Sequence, residues 1–144
     1  MKEEILKVLG ELGFQLEHLG SLGYGFVYEG GTYIYMPDKN DPELLVLCIP
    51  YVYEIDKDNP LRFYRLIDEV NAMMKGVKAY ELNDKICFFY ERELLGEDDL
   101  EKIIVRMIYR LEAALTLFHN KIAMKCPDEA GEEENEELIG ETKE

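Results

Sequence analysis

Few residues in this chain have the types and spacing that chemistry needs. The two histidines, His18 and His119, fall in different segments, and the three cysteines, Cys48, Cys87 and Cys126, are widely separated. A bound zinc or a catalytic triad requires further donors at defined intervals, and neither an H-x-x-x-H, an H-E-x-x-H nor a C-x-x-C motif is present. His119 follows Phe118 in a helical pattern and reads as a surface or capping residue. Cys87 lies between Ile86 and Phe88, the setting of a small buried residue rather than a low-pKa nucleophile. Nothing near Cys126 in sequence would serve it as a base.

Three other patterns invite chemical readings and fail them. The cluster Gly20-Ser21-Leu22-Gly23-Tyr24-Gly25 precedes a strand, whereas a dinucleotide fingerprint follows a strand and opens a helix, so a flexible connection is expected. The neighbouring carboxylates Asp56/Asp58, Glu91/Glu93 and Glu97/Asp98/Asp99 belong to a chain with 31 acidic residues, where close spacing arises by chance. Acid–base catalysis would need a pocket that separates two carboxyl pKa values, which spacing alone does not supply. Asp38-Lys39-Asn40-Asp41 lacks the glycine and terminal glutamate of a calcium loop and reads as a turn. No enzyme, cofactor or metal is therefore expected.

Composition restricts the partners. Sixteen basic residues against 31 acidic ones leave a net charge of −15 over 144 residues, which disfavours phosphate backbones and anionic membranes. Stacking of bases on the strand tyrosines would need a basic groove that this balance does not provide. The first residues lack a signal-peptide pattern, and no apolar run is long enough for a membrane span. Together with the odd, unpaired cysteines, this predicts a cytoplasmic protein. Residues 128–144 hold nine acids and one lysine, leaving −7 on residues 1–127. The expectation is one domain over 1–126 and a disordered acidic tail over 127–144.

Hydrophobic periodicity supplies the elements. Ile5, Leu6, Val8, Leu9 and Leu12 mark a first helix that stops at Gly13. Phe26–Glu29 and Thr32–Met36 read as a hairpin about Gly30-Gly31, and Leu44–Tyr53 as a third strand. Asn59-Pro60 opens a second helix with Phe63, Leu66, Ile67, Val70, Met73, Met74 and Val77 in its apolar stripe. Val77–Leu82 and Lys85–Arg92 form a second hairpin about Asn83-Asp84. A long helix then runs from an Asp98/Glu101 cap to about Met124. The order α-β-β-β-α-β-β-α predicts an α+β fold with an antiparallel sheet packed against helices.

The strand faces are unusual. A Gly30-Gly31 turn puts Tyr28 opposite Tyr33 and Phe26 opposite Tyr35 on one face, with Val27, Ile34 and Met36 on the other. The third strand divides into Leu45, Leu47, Ile49 and Tyr51 against Leu44, Val46, Cys48 and Val52. In the last strand Ile86, Phe88 and Tyr90 oppose Cys87 and Phe89. Both faces are apolar, so helices cover both or a partner covers one.

The layout of residues 1–125 resembles the type III secretion chaperone-like fold, including the YbjN-like sensory-transduction regulators. The resemblance rests on Phe63-Tyr64-Arg65-Leu66-Ile67-Asp68-Glu69-Val70-Asn71 leading into Gly76-Val77-Lys78-Ala79-Tyr80. Lys85-Ile86-Cys87-Phe88-Phe89-Tyr90-Glu91 and the helix from Asp98 to Phe118 complete it. It implies a small acidic homodimer without enzymatic activity that binds proteins through apolar patches. The contact surface expected on this reading comprises Phe26, Tyr28, Tyr33 and Tyr35 with Phe63 and Val70 of the second helix. Its partner would be a protein or peptide with an apolar or basic segment. The alternative is a small-molecule sensor with a pocket between sheet and helices, for which Arg65 and Asn71 are the polar candidates.

Overall fold

The computed structural model describes residues 1–96 and 99–124. The expected tail over 127–144, Cys126, Glu97 and Asp98 lie outside the described residues. Among the described residues, three helices and six strands follow one another as α1 (Lys2–Glu11), β1 (Glu17–His18), β2 (Tyr24–Tyr28), β3 (Gly31–Tyr35), β4 (Leu44–Glu54), α2 (Pro60–Met73), β5 (Val77–Leu82), β6 (Lys85–Glu93) and α3 (Leu100–Ala123). All strand pairs are antiparallel, in the order β1-β2-β3-β4-β6-β5. The α+β class and the element order match expectation, with β1 added. That strand is two residues long, too short to leave a period in the sequence, and pairs Glu17 and His18 with Gly25 and Tyr24.

Local chemistry accounts for the helix ends. At the end of α1, Gly13 takes φ 99°, its N–H donates to the Gly10 carbonyl, and the Phe14 N–H reaches back to Leu9. This is the Schellman arrangement, which needs a residue without a Cβ clash at positive φ. Pro60 opens α2 as expected, but the Asn59 side chain makes no capping bond. The cap of α3 is Asp99, whose carboxylate accepts the Lys102 N–H at 3.2 Å, one residue beyond the expected Asp98. At the other end of α3, Arg62 donates to the Ile122 carbonyl at 2.8 Å, satisfying an acceptor the helix leaves open.

Two registers differ from expectation. The first hairpin turns on Glu29-Gly30, both at positive φ (51° and 79°), rather than on Gly30-Gly31. Phe26 therefore pairs with Tyr33 and Tyr24 with Tyr35, while Tyr28 faces Gly31. This register stacks Phe26 on Tyr33 (5.6 Å between centroids) and Tyr24 on Tyr35 (6.3 Å), two contacts worth more than the modest strain at Glu29. The shift is by two residues, so each side chain keeps its face. In β4 the pairing with β6 jumps between Ile49 and Tyr53, around Pro50, which lacks a ladder N–H. The irregularity moves Val52 into the main core and leaves Tyr51 exposed, the reverse of simple alternation. The second hairpin turns on Asn83-Asp84, both at positive φ, as expected.

All three helices lie against one sheet face. Ile5 and Leu9 of α1, Phe63, Leu66 and Val70 of α2, and Ile104, Met107, Leu111 and Phe118 of α3 join one core. Leu45, Leu47, Ile49, Ile86 and Phe88 fill it from the sheet. A fastening between layers comes from Asn71, whose amide donates to the Ala79 carbonyl (2.9 Å) and accepts its N–H (2.7 Å). Ala79 lies on the edge strand β5, so Asn71 satisfies two backbone groups that no further strand can reach.

Candidate functional site

The expected contact residues are in the core. Phe26, Tyr33, Tyr35, Phe63 and Val70 are each at most 3 % exposed, and Tyr28 is half-buried among the same helices. They cannot form an outer contact surface in this chain, which corrects that assignment. Phe26, Tyr33 and Tyr35 point toward the helical layer, and Phe63 and Val70 face back from α2. Strand alternation sorted them correctly onto one face but carried no information on which face the helices occupy. Burial raises the pKa of the Tyr33 phenol, with Glu112 adding to it, and pushes that of Tyr35 up to about 12.

The other face carries a separate cluster of Val46, Cys48, Cys87 and Phe89, with Met36 and Leu44 packed against it. No described helical residue belongs to it. Ile34 pairs with Cys48 on the same side, and the Tyr80 ring stacks on Phe89 at 5.1 Å with 10° between planes. The layer thus crosses β3, β4, β6 and β5. At its margins Val27 is 64 % and Leu82 50 % exposed, while Lys78 pairs with Glu91 at 3.2 Å. Val27, Ile34, Met36, Cys48 and Phe89 were legible as the second face from alternation alone. Tyr80 had no such signal, because β5 is bounded by polar residues.

The thiols on this face are set against nucleophilic chemistry. Burial pushes Cys48 up to about 12, with Cys87 nearby raising it further. Cys87 is raised by burial too, against a lowering by Lys85, and its Sγ donates to the Pro50 carbonyl at 3.0 Å. Both are unpaired. The remaining sequence candidates have local structural roles. Asp38 accepts the Asn40 N–H at 2.9 Å within a turn, and Asp56 does the same for Asp58. His119 lies beside Phe118 and is exposed, while His18 lies beside Tyr24 with its ring 4.9 Å away. The glycine cluster forms a short 3-10 turn over Gly20–Leu22, and a side chain at Gly23 would collide with the Tyr35 carbonyl oxygen. The Asn71 amide is consumed by Ala79, so it does not line a ligand pocket. Among the described residues, no group of three or more His, Cys, Asp or Glu side chains is placed to hold a metal ion.

No protein-family model matches the chain, and no curated protein matches it in sequence. Its structure is similar to the crystal structure of YbjN from E. coli, with a TM-score of 0.67 and 12 % identity over 85 % of this chain and 92 % of that one. The fold is YbjN-like. At that identity the likeness is one of architecture. No described helix is long and apolar enough to cross a membrane.

Proposed function

We propose that the protein is a non-enzymatic, regulatory binding module that acts as a cytoplasmic homodimer, with the sheet face on which no described helix rests as its contact surface. The observation that carries this reading is the exposed apolar margin of that face, Val27 at 64 %, Tyr80 at 38 % and Leu82 at 50 %, around an enclosed centre of Ile34, Cys48 and Phe89. A face of this kind loses unfavourable water contact when a second apolar surface covers it. Lys78 and Glu91 place both signs of charge beside it, which an isologous contact between two copies can match across a two-fold axis. YbjN, whose architecture this chain shares, carries the provisional description of a transcription regulator. The type III secretion chaperone resemblance supports a partner that is an extended protein segment with apolar or basic residues. Unpaired Cys48 and Cys87 agree with a reducing compartment.

The test is the solution mass of the full chain across dilution. A dimer of about 34 kDa, twice 16.8 kDa, is expected, and Val27→Asp together with Tyr80→Asp should return it to the single-chain mass with an unchanged circular dichroism spectrum. A wild-type chain that stays at 16.8 kDa at high concentration overturns the homodimer.

A further inference from the structure

A different part of the molecule has the composition of a ligand site. A cleft of about 560 Å³ opens between the first turn of α1, the β1–β2 connection and the β3–β4 loop. Its floor is aromatic: the half-buried Tyr24 ring and the exposed His18 ring lie 4.9 Å apart, and the enclosed Tyr35 ring backs Tyr24 from the core at 6.3 Å. Lys2 holds its ammonium 5.9 Å from the centre of the Tyr24 ring, and Lys39 lines the opposite wall. Asp38, the one acidic side chain in the lining, turns its carboxylate into the Asn40 N–H. Lys2 and Lys39 thus outnumber Asp38 in the lining of this cleft on a chain of net charge −15, with the Glu3 carboxylate acting on Tyr35 from outside it.

We propose that this cleft binds a small planar aromatic carboxylate, its ring against Tyr24 and His18 and its anionic group between Lys2 and Lys39. The aromatic floor offers a flat apolar surface for a ring, and a few convergent polar groups fix its orientation. The charge selects the ligand further. A single carboxylate can lie between two lysines, whereas a polyphosphate would meet the acidic field of the rest of the chain with most of its charge unmatched. This site lies on the helical side of the sheet, at the start of β2 and the end of β3, and shares Leu44 with the margin of the face proposed for dimerisation.

The experiment follows backbone amide signals of the isotope-labelled full chain during titration with 2-naphthoate, with neutral 2-naphthalenemethanol and inorganic phosphate as comparators. Naphthoate should move the signals of Gly20–Tyr24 and of Asp38 and Lys39 saturably, with a Kd at or below roughly 1 mM. Lys2→Gln and Lys39→Gln should each weaken binding by about two- to fivefold, as expected for exposed charge pairs. Tyr24→Leu should weaken it by about tenfold while the spectrum stays dispersed. Equal binding of the neutral alcohol, equal effects of phosphate, or shifts confined to other residues would overturn the proposal. So would the absence of any saturable shift.

Discussion

The two faces of the sheet are built from similar residues and meet different surroundings. Phe88 and Phe89 are neighbours in β6, yet Phe88 is fully enclosed by the core and lies against Phe118 of α3, while Phe89 rests in a layer without helices. Tyr35 and Cys48, on opposite faces, are both at most 3 % exposed, and burial pushes the ionisation of each up to about 12. Water is therefore kept from the central strands on both sides, while among the described residues helices support only one of them. A sheet that needs one face for its own core and keeps the other apolar has a surface suited to association rather than to solvent.

The sharpest way to break this comparison is to truncate the two phenylalanines in turn. Phe88→Ala should cost about 3–5 kcal/mol of stability in urea unfolding, because its cavity is enclosed by two layers. Phe89→Ala should cost about half as much, since its surroundings can collapse, and should also lower the solution mass. Equal losses, with the mass unchanged, would mean that the two faces do not differ as described.

Next in size is the fastening that holds α2 on its side of the sheet. Asn71→Ala should destabilise by about 1–3 kcal/mol, because the N–H and carbonyl of Ala79, itself buried on the edge strand, lose their partner. Asn71→Asp retains the acceptor and should recover about half of that loss in thermal unfolding. A neutral alanine variant would show that the helical layer is held by packing alone.

Alkaline pH separates the faces by their titrating groups. Cys48 ionises at about 12 when folded against an ordinary 9.0, so above pH 9 the unfolded chain binds fewer protons than the folded one. Stability then falls as pH rises through this window, and Tyr35, raised from 10.0 to about 12, adds to the fall at higher pH. Cys48→Val should make the decline shallower throughout pH 9–12, with Cys87, Tyr33 and Tyr35 sustaining the slope that remains. An unaltered profile would mean that the second face admits water.

The smallest effect on stability is expected at the margin. Val27, 64 % exposed, should tolerate Asp within about 0.5 kcal/mol, while the dimer is lost. A Val27→Asp chain that remains dimeric would place the contact elsewhere on the molecule.

Much of this architecture was legible because its signals are local. Apolar spacing located α1, α2 and α3, Gly13 announced the end of α1, and Asn83-Asp84 marked the second hairpin, each through a backbone preference that acts within a few residues. The misses involved competition between distant groups. Glu29 rather than Gly31 entered the first turn because the aromatic pairs Phe26–Tyr33 and Tyr24–Tyr35, across two strands, set the better register. The jump around Pro50 exchanged Val52 and Tyr51, which no alternation rule could foresee. The candidate contact residues were misplaced for a related reason. Tyr33 and Val46 are equally apolar in a strand pattern, and nothing local distinguishes the face that receives helices.

The sequence by itself therefore determined the helices, the strands and the partition of each strand into two apolar sides, since these follow from covalent periodicity and short-range backbone sterics. Tertiary structure alone decided which side became the core, which stayed free of helices, and that His18, Lys2, Lys39 and two tyrosines meet at one cleft. Those outcomes depend on the packing of segments far apart in the chain, where each contact is made only after the others have set its geometry.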